Sequence, residues 1–173
     1  DSRLVVLNAM DAAAKGATIR TRTRLQSATR TGKTWALSIL DRSRNEEYTV
    51  QARALVNASG PWLEELLSRI SHTASREHIR MVKGSHIIVR KMFDHDRAYI
   101  FQNADGRIIF AIPYEKLFTL IGTTDVDFHG DPGTVAISEE ETAYLCRASS
   151  EYFSQGLTSV DVVSSFSGIR PLF

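Results

Sequence analysis

Tyr99-Ile-Phe-Gln-Asn-Ala-Asp-Gly-Arg-Ile-Ile-Phe-Ala-Ile112 constrains the fold more than any other stretch of the chain. Asp105-Gly106 is a hairpin turn signal of the I′ kind, because both central residues of that turn need positive φ. Folding about it predicts Phe101 opposite Phe110, Asn103 opposite Ile108 and Tyr99 opposite Ile112. The other face then carries Ile100 and Gln102 against Ala111 and Ile109. Both faces are mostly apolar, so the sheet needs a cover on each side. One cover is expected to be protein, and the other is available to a ligand cavity.

The flanking segments extend this picture. Met81 onward and Leu117–Thr123 read as strands, and Val160–Phe166 as a final one leading into Ser167-Gly-Ile-Arg-Pro171. Ser138-Glu-Glu-Glu141 is a capping box opening a helix to about 154, with Leu145, Ala148 and Tyr152 on one stripe and Gly156 beyond its end. Upstream the character differs. Arg3–Gly16 reads as a helix ending on glycine, and Ala17–Thr21 as a strand after it. Short segments within about 25–51 form an antiparallel meander, with clean alternation at Trp35, Leu37 and Ile39. Ala54–Ala58 reads as an apolar strand, followed by the Ser59-Gly60-Pro61 turn and a helix over Trp62–Ile70. The polar run His72–His78 is the expected boundary.

Chemistry is carried by few residues. A helix N-terminus after the Ser59-Gly60-Pro61 turn suits a phosphate, although the same arrangement is common scaffolding. In Lys83-Gly-Ser-His-Ile-Ile-Val89, alternation sends Lys83 and His86 to opposite faces, and a bulge at Gly84 is expected to re-aim them to one cavity. His86 suits a base or hydrogen-bond donor near neutral pH, though spacing alone favours a histidine satisfied at a sheet edge. Gly122-Thr-Thr-Asp125 either ties off a strand or offers Thr124 to a ligand. Arg170, beside Gly168 and just after a strand, suits a phosphate or carboxylate as well as it suits solvent.

Composition excludes several classes. With 21 Lys and Arg set against 20 acids along 173 residues, nucleic-acid binding has no support. The run Arg20-Thr-Arg-Thr-Arg24 is expected to be one solvated strand face. Cys146 is the only cysteine, which removes an intrachain disulfide and points to a reducing compartment. His72, His78, His95 and His129 show no metal-ligand spacing, so no metal is expected. The ends, Asp1-Ser-Arg3 and Pro171-Leu-Phe173, read as those of an internal segment.

Taken together, RLVVLNAMDAAAKGA, ARALVNASGPW, VKGSHIIV, RAYIFQNADGRIIFAIPYE, FTLIGTTDVDFHGDP and SGIRPLF resemble the bacterial FAD-dependent, quinone-linked glycerol-3-phosphate dehydrogenases, in that family's order. The resemblance implies an α/β plus α+β fold. Residues 1–70 would be the second portion of a glutathione-reductase-like FAD-binding domain. Residues 78–165 would form an antiparallel-sheet substrate domain, and 166–173 the start of the return. It implies oxidation of glycerol 3-phosphate to dihydroxyacetone phosphate by hydride transfer to FAD, with electrons passing to quinone. Arg170 would bind the substrate phosphate, with Lys83 and Thr124 on the substrate side and His86 catalytic. Arg24, Leu25, Ser59, Gly60 and Pro61 would touch the cofactor. No GxGxxG occurs, so FAD is expected in the full-length enzyme and not in this segment. The implied location is cytoplasmic, peripheral on the inner membrane. A related oxidase using oxygen and a non-catalytic binding or assembly module are the alternatives.

Overall fold

The computed structural model describes residues 2–71 and 79–172. The expected His72–His78 boundary therefore lies outside the described residues. Two compact units are formed, Asp1–Ala58 with Glu65–Ala74, and Ser59–Glu64 with Ser75–Phe173.

The first unit contains helix α1 (Ser2–Ala14) and an antiparallel meander of β1 (Thr23–Thr31), β2 (Thr34–Asp41) and β3 (Glu46–Ala52) in sequential order. Leu4, Val5, Val6, Leu7 and Met10 of α1 stay exposed. Two expected strands do not form, Ala17–Thr21 and Ala54–Ala58. A lone strand has no ladder to hold it, and among the described residues neither segment has a neighbour to pair with. Arg22 sits at φ 53°, a left-handed turn that also stops the Arg20–Arg24 run from being one strand face.

In the second unit a 3₁₀ turn (Gly60–Trp62) leads into helix α2 (Leu63–Ser71), whose later residues belong to the first unit. The body of the unit is a six-stranded antiparallel sheet. Its strands are β4 (Arg80–Arg90), β5 (Tyr99–Gln102), β6 (Ile108–Tyr114), β7 (Phe118–Gly122), β8 (Val126–Asp127) and β9 (Val162–Leu172). The central β4 pairs with β9 along one edge, and along the other with β7 and then with β8. Helix α3 (Glu139–Ser150) covers one face, packing on β4, β6 and β7. Its Leu145, Cys146 and Ala148 meet Ile87, Val89, Ile109 and Ile121 there. Each large aliphatic so buried is worth roughly 1.5–3 kcal/mol relative to exposure.

The β5–β6 register differs by one residue from expectation, with Phe101 opposite Ile109 and Tyr99 opposite Ala111. Asn103 and Arg107 close a three-residue loop in which Gly106, at φ 81°, occupies the left-handed position. Asp-Gly serves that loop as well as the two-residue one. The slip sorts the faces. Ile109 and Ala111 turn inward under α3, whereas Ile100, Ile108 and Ile112 lie exposed on the opposite face. α3 ends at Ser150, before the expected limit. The Tyr152 hydroxyl donates instead to the Gln102 carbonyl and the Asn103 amide oxygen. β9 runs to Leu172, so Arg170 lies within a strand and not after one. Pro171 is tolerated because β9 is an edge strand.

Candidate functional site

The open face of the sheet, opposite α3, brings together Gly84 and His86 of β4, Gly122 at the end of β7, and Phe166 and Arg170 of β9. Register explains the gathering. His86 is opposite both Gly122 and Phe166, and Arg170 is opposite Val82, two residues before Gly84. Opposed residues in a ladder send their side chains to one face.

Glycine at two of these positions makes space. A Cβ at Gly84 would stand 2.7 Å from Thr123 Oγ1 and 2.9 Å from Arg170 Nη2, so the guanidinium lies directly over bare backbone. A Cβ at Gly122 would overlap the His86 ring. That ring stacks on Phe166 with centroids 4.8 Å apart and planes 10° apart. Its Nδ1 is buried and, among the described residues, has no hydrogen-bond partner. Burial first, and then the charge of Arg170, push the imidazole below its ordinary 6.5. His86 is therefore neutral at physiological pH and able to accept a proton.

Arg170 is exposed. Its Nη2 donates to the Thr124 carbonyl at 3.1 Å, and among the described residues it has no carboxylate partner. It shares a cavity of about 330 Å³ with Arg107, Ile108, Phe110 and Thr123–Asp125. Sequence reasoning had not singled out Arg107. Its guanidinium lies 4.5 Å from the Tyr144 ring centre, and its Nε is 3.5 Å from the Asp105 carboxylate.

The expected bulge at Gly84 is absent. The β4–β9 register runs unbroken from Arg80 to Ile88, so Lys83 and His86 point to opposite faces. On the α3 face Lys83 Nζ meets Glu141 Oε2 at 2.7 Å and donates to the Ala136 carbonyl. Glu141 is the centre of a buried polar cluster that sequence reasoning saw only as a helix cap. Thr124 and Ser85 hydroxyls both donate to its Oε1, at 2.7 and 2.9 Å, and the Ser138 backbone N–H donates to Oε2. Burial raises the Glu141 pKa, but the hydrogen bonds from Lys83, Ser138, Thr124 and Ser85 outweigh it and hold the carboxyl below its ordinary range. Thr124 is fully buried, and its hydroxyl also accepts from the Ser85 N–H. It lines the cavity it shares with Arg170, its carbonyl accepting from the guanidinium while its hydroxyl is turned to Glu141.

The remaining expected residues lie elsewhere. Ser59, Gly60 and Pro61 begin the 3₁₀ turn, which packs on β9, with Gly60 at φ 56°. Arg24 and Leu25 open β1 in the first unit, where Arg24 is 3.4 Å from Glu65. Among the described residues no cluster of side chains is arranged to hold a metal ion.

A family model described as FAD dependent oxidoreductase matches residues 1–173. A glycerol-3-phosphate dehydrogenase of Pseudomonas aeruginosa is 51% identical over 99% of this chain, which covers 33% of that protein. A D-erythritol 1-phosphate dehydrogenase of Brucella abortus is 46% identical over the whole chain, 34% of that protein. The structure of a glycerol-3-phosphate dehydrogenase from Bacillus halodurans, complexed with FAD, superposes with a TM-score of 0.83 at 31% identity, over 94% of this chain and 33% of that one. The chain thus spans about a third of the length of the relatives it matches.

Proposed function

The chain belongs to the FAD dependent oxidoreductase family, and on that premise we propose that it supplies the substrate-binding face of a flavoenzyme that oxidises glycerol 3-phosphate to dihydroxyacetone phosphate. The observation that carries the proposal is Arg170, an exposed cationic fork without a carboxylate partner among the described residues, set over bare backbone at Gly84 beside a neutral histidine. A planar guanidinium matches a phosphate in shape and charge.

Arg170 binds the phosphate and fixes the register of a short polyol chain. His86, held between Phe166 and the backbone of Gly122, takes the proton of the C2 hydroxyl at its Nε2. Its depressed pKa keeps the imidazole in the form that accepts a proton. Ile108 and Phe110 in the cavity wall limit water around the reacting carbon. The open face also fits a flat cofactor ring. Ile100, Ile108 and Ile112 are exposed along it, and Gly168 leaves its backbone approachable, since among the described residues nothing beyond its chain neighbours comes within 4 Å of where a Cβ would stand. FAD supplies the two-electron acceptor that no side chain provides. Ser59-Gly60-Pro61 would hold the cofactor beside β9, and Arg24 with Leu25 are assigned to its adenine end by resemblance.

The relatives name two polyol phosphates, glycerol 3-phosphate and D-erythritol 1-phosphate. The shared chemistry is a secondary alcohol on a phosphorylated chain, and the higher identity favours the three-carbon substrate. We assign electron transfer to a membrane quinone, at the cytoplasmic face of the inner membrane, on resemblance alone. Turnover with a quinone analogue but not with oxygen would support it.

The central test is Arg170→Ala in the full-length enzyme. Losing a charge-assisted contact worth about 1.5–3 kcal/mol should raise KM for glycerol 3-phosphate by roughly 10- to 150-fold. Unchanged KM and kcat would remove Arg170 from the phosphate site.

A further inference from the structure

We infer that Glu141, on the far side of the sheet from the ligand, is a positioning residue for Arg170, acting through Thr124. The inference rests on the proposed role of Arg170 as the phosphate ligand.

Among the described residues the Arg170 guanidinium is held by a hydrogen bond to the Thr124 carbonyl. Thr124 lies between β7 and β8, outside either strand, so ladder pairing does not orient its peptide. Contacts with Ser85 and Glu141 do that instead. The Thr124 hydroxyl donates to Glu141 Oε1 and accepts from the Ser85 N–H, while the Thr124 N–H donates to the Ser85 carbonyl. A second branch reaches the same strand as Arg170. The Ser85 hydroxyl donates its single proton to Glu141, so in the 2.8 Å contact with Ser167 it is Ser167 that donates. Ser167 precedes Arg170 by three residues on β9. One carboxylate thus braces the carbonyl that aims the guanidinium and, through Ser85 and Ser167, contacts the strand that carries it.

The donor arithmetic shows why a carboxylate is needed. Glu141 accepts from Thr124 and Ser85 on one oxygen, and from Lys83 and the Ser138 N–H on the other. That uses its full acceptor capacity, and every partner is a donor. A glutamine would turn an NH2 toward two of them. The buried pair with Lys83 is no argument for stability in itself, since well-packed apolar residues commonly do as well. Its consequence is a defined geometry beneath the phosphate ligand. Lys83 accordingly neutralises Glu141 and does not touch substrate.

The experiment is steady-state kinetics of the full-length holoenzyme with glycerol 3-phosphate, using inorganic phosphate as a competitive inhibitor. Glu141→Gln should raise KM and the phosphate Ki together, by about 10-fold, short of the full effect of losing the guanidinium. kcat should stay within about twofold, and FAD content should be unchanged. In an Arg170→Ala background, Glu141→Gln should add nothing further to KM. Should Glu141→Gln fail to fold, Thr124→Val must reproduce the rise and Thr124→Ser must restore it. Equal losses in kcat and FAD content with KM and Ki unmoved would mark Glu141 as merely structural and overturn the inference. If Arg170→Ala itself leaves KM and Ki unchanged, the phosphate assignment fails instead, which separates the two outcomes.

Discussion

A side chain at Gly122 would occupy the space of the His86 ring, so the smallest substitution there tests how the imidazole is held. Gly122→Ala must push the ring off Phe166, since a ring cannot fold away as a flexible chain end does. The kcat of the full-length enzyme should fall by about 10- to 100-fold, reaching at most the lower end of the roughly 100- to 10,000-fold that general acid–base catalysis contributes. Gly84→Ala should be milder on kcat and act on KM, because its new methyl meets Arg170 Nη2 and Thr123 Oγ1, which can shift. Equal effects of the two substitutions on both constants would contradict this division. The sequence reveals Gly84 as special but not why. Glycine near a candidate base suggests a bulge, yet neither Gly84 nor Gly122 adopts a positive φ, and each serves by leaving room for a neighbour's side chain. That neighbour is distant in the chain: Arg170 lies 86 residues beyond Gly84. No local pattern announces it. Alternation alone had Lys83 and His86 on opposite faces, and that simpler expectation is the one the strand follows.

At the scale of elements, local signals were legible and pairings were not. The Ser138-to-Glu141 capping box is present in both halves. Ser138 Oγ accepts from the Glu141 N–H at 3.2 Å, and the Ser138 N–H donates to Glu141 Oε2 at 2.9 Å. Ser138→Ala removes the first of these and should cost about 0.5–2 kcal/mol of stability, read as a lower urea midpoint at unchanged slope. The second bond survives, because it uses the main chain, so a loss well above that range would mean that the cap also carries the buried cluster. The hairpin shows the opposite case. Asp105-Gly106 located the turn, but the choice between a two- and a three-residue loop depends on which face packs under α3. Ile109, in one buried cluster with Leu145, settles that, and Leu145 lies 36 residues further along the chain. Ala54–Ala58 failed for a related reason: its composition is that of a buried strand, but a strand requires partners, and none pairs with it among the described residues.

For the second unit as a whole, the two faces of the sheet differ in what holds them, and acid should expose the difference. On the open face His86 is kept below its ordinary 6.5, chiefly by burial. On the covered face Glu141 is held below its ordinary 4.5, its hydrogen bonds outweighing burial. In both cases the unfolded chain binds the proton more readily, so stability rises with pH across each interval. The histidine's contribution is complete above its unfolded value of 6.5 and is lost as pH falls through the lower folded one. The glutamate's is complete above 4.5 and is lost below it. Asp105 and Asp161, each depressed chiefly by a backbone hydrogen bond, from Arg107 and Thr158, share the lower window. Thermal melting from pH 8 to pH 3.5 should therefore show two declines in Tm, the first beginning near 6.5 and the second below 4.5. His86→Phe should abolish the first. Glu141→Gln should shrink the second without removing it. A Tm that stays level from pH 7.5 to 5.5 in the unsubstituted protein would mean that the imidazole is not desolvated between Phe166 and Gly122, and the neutral base assigned to the open face would lose its physical footing.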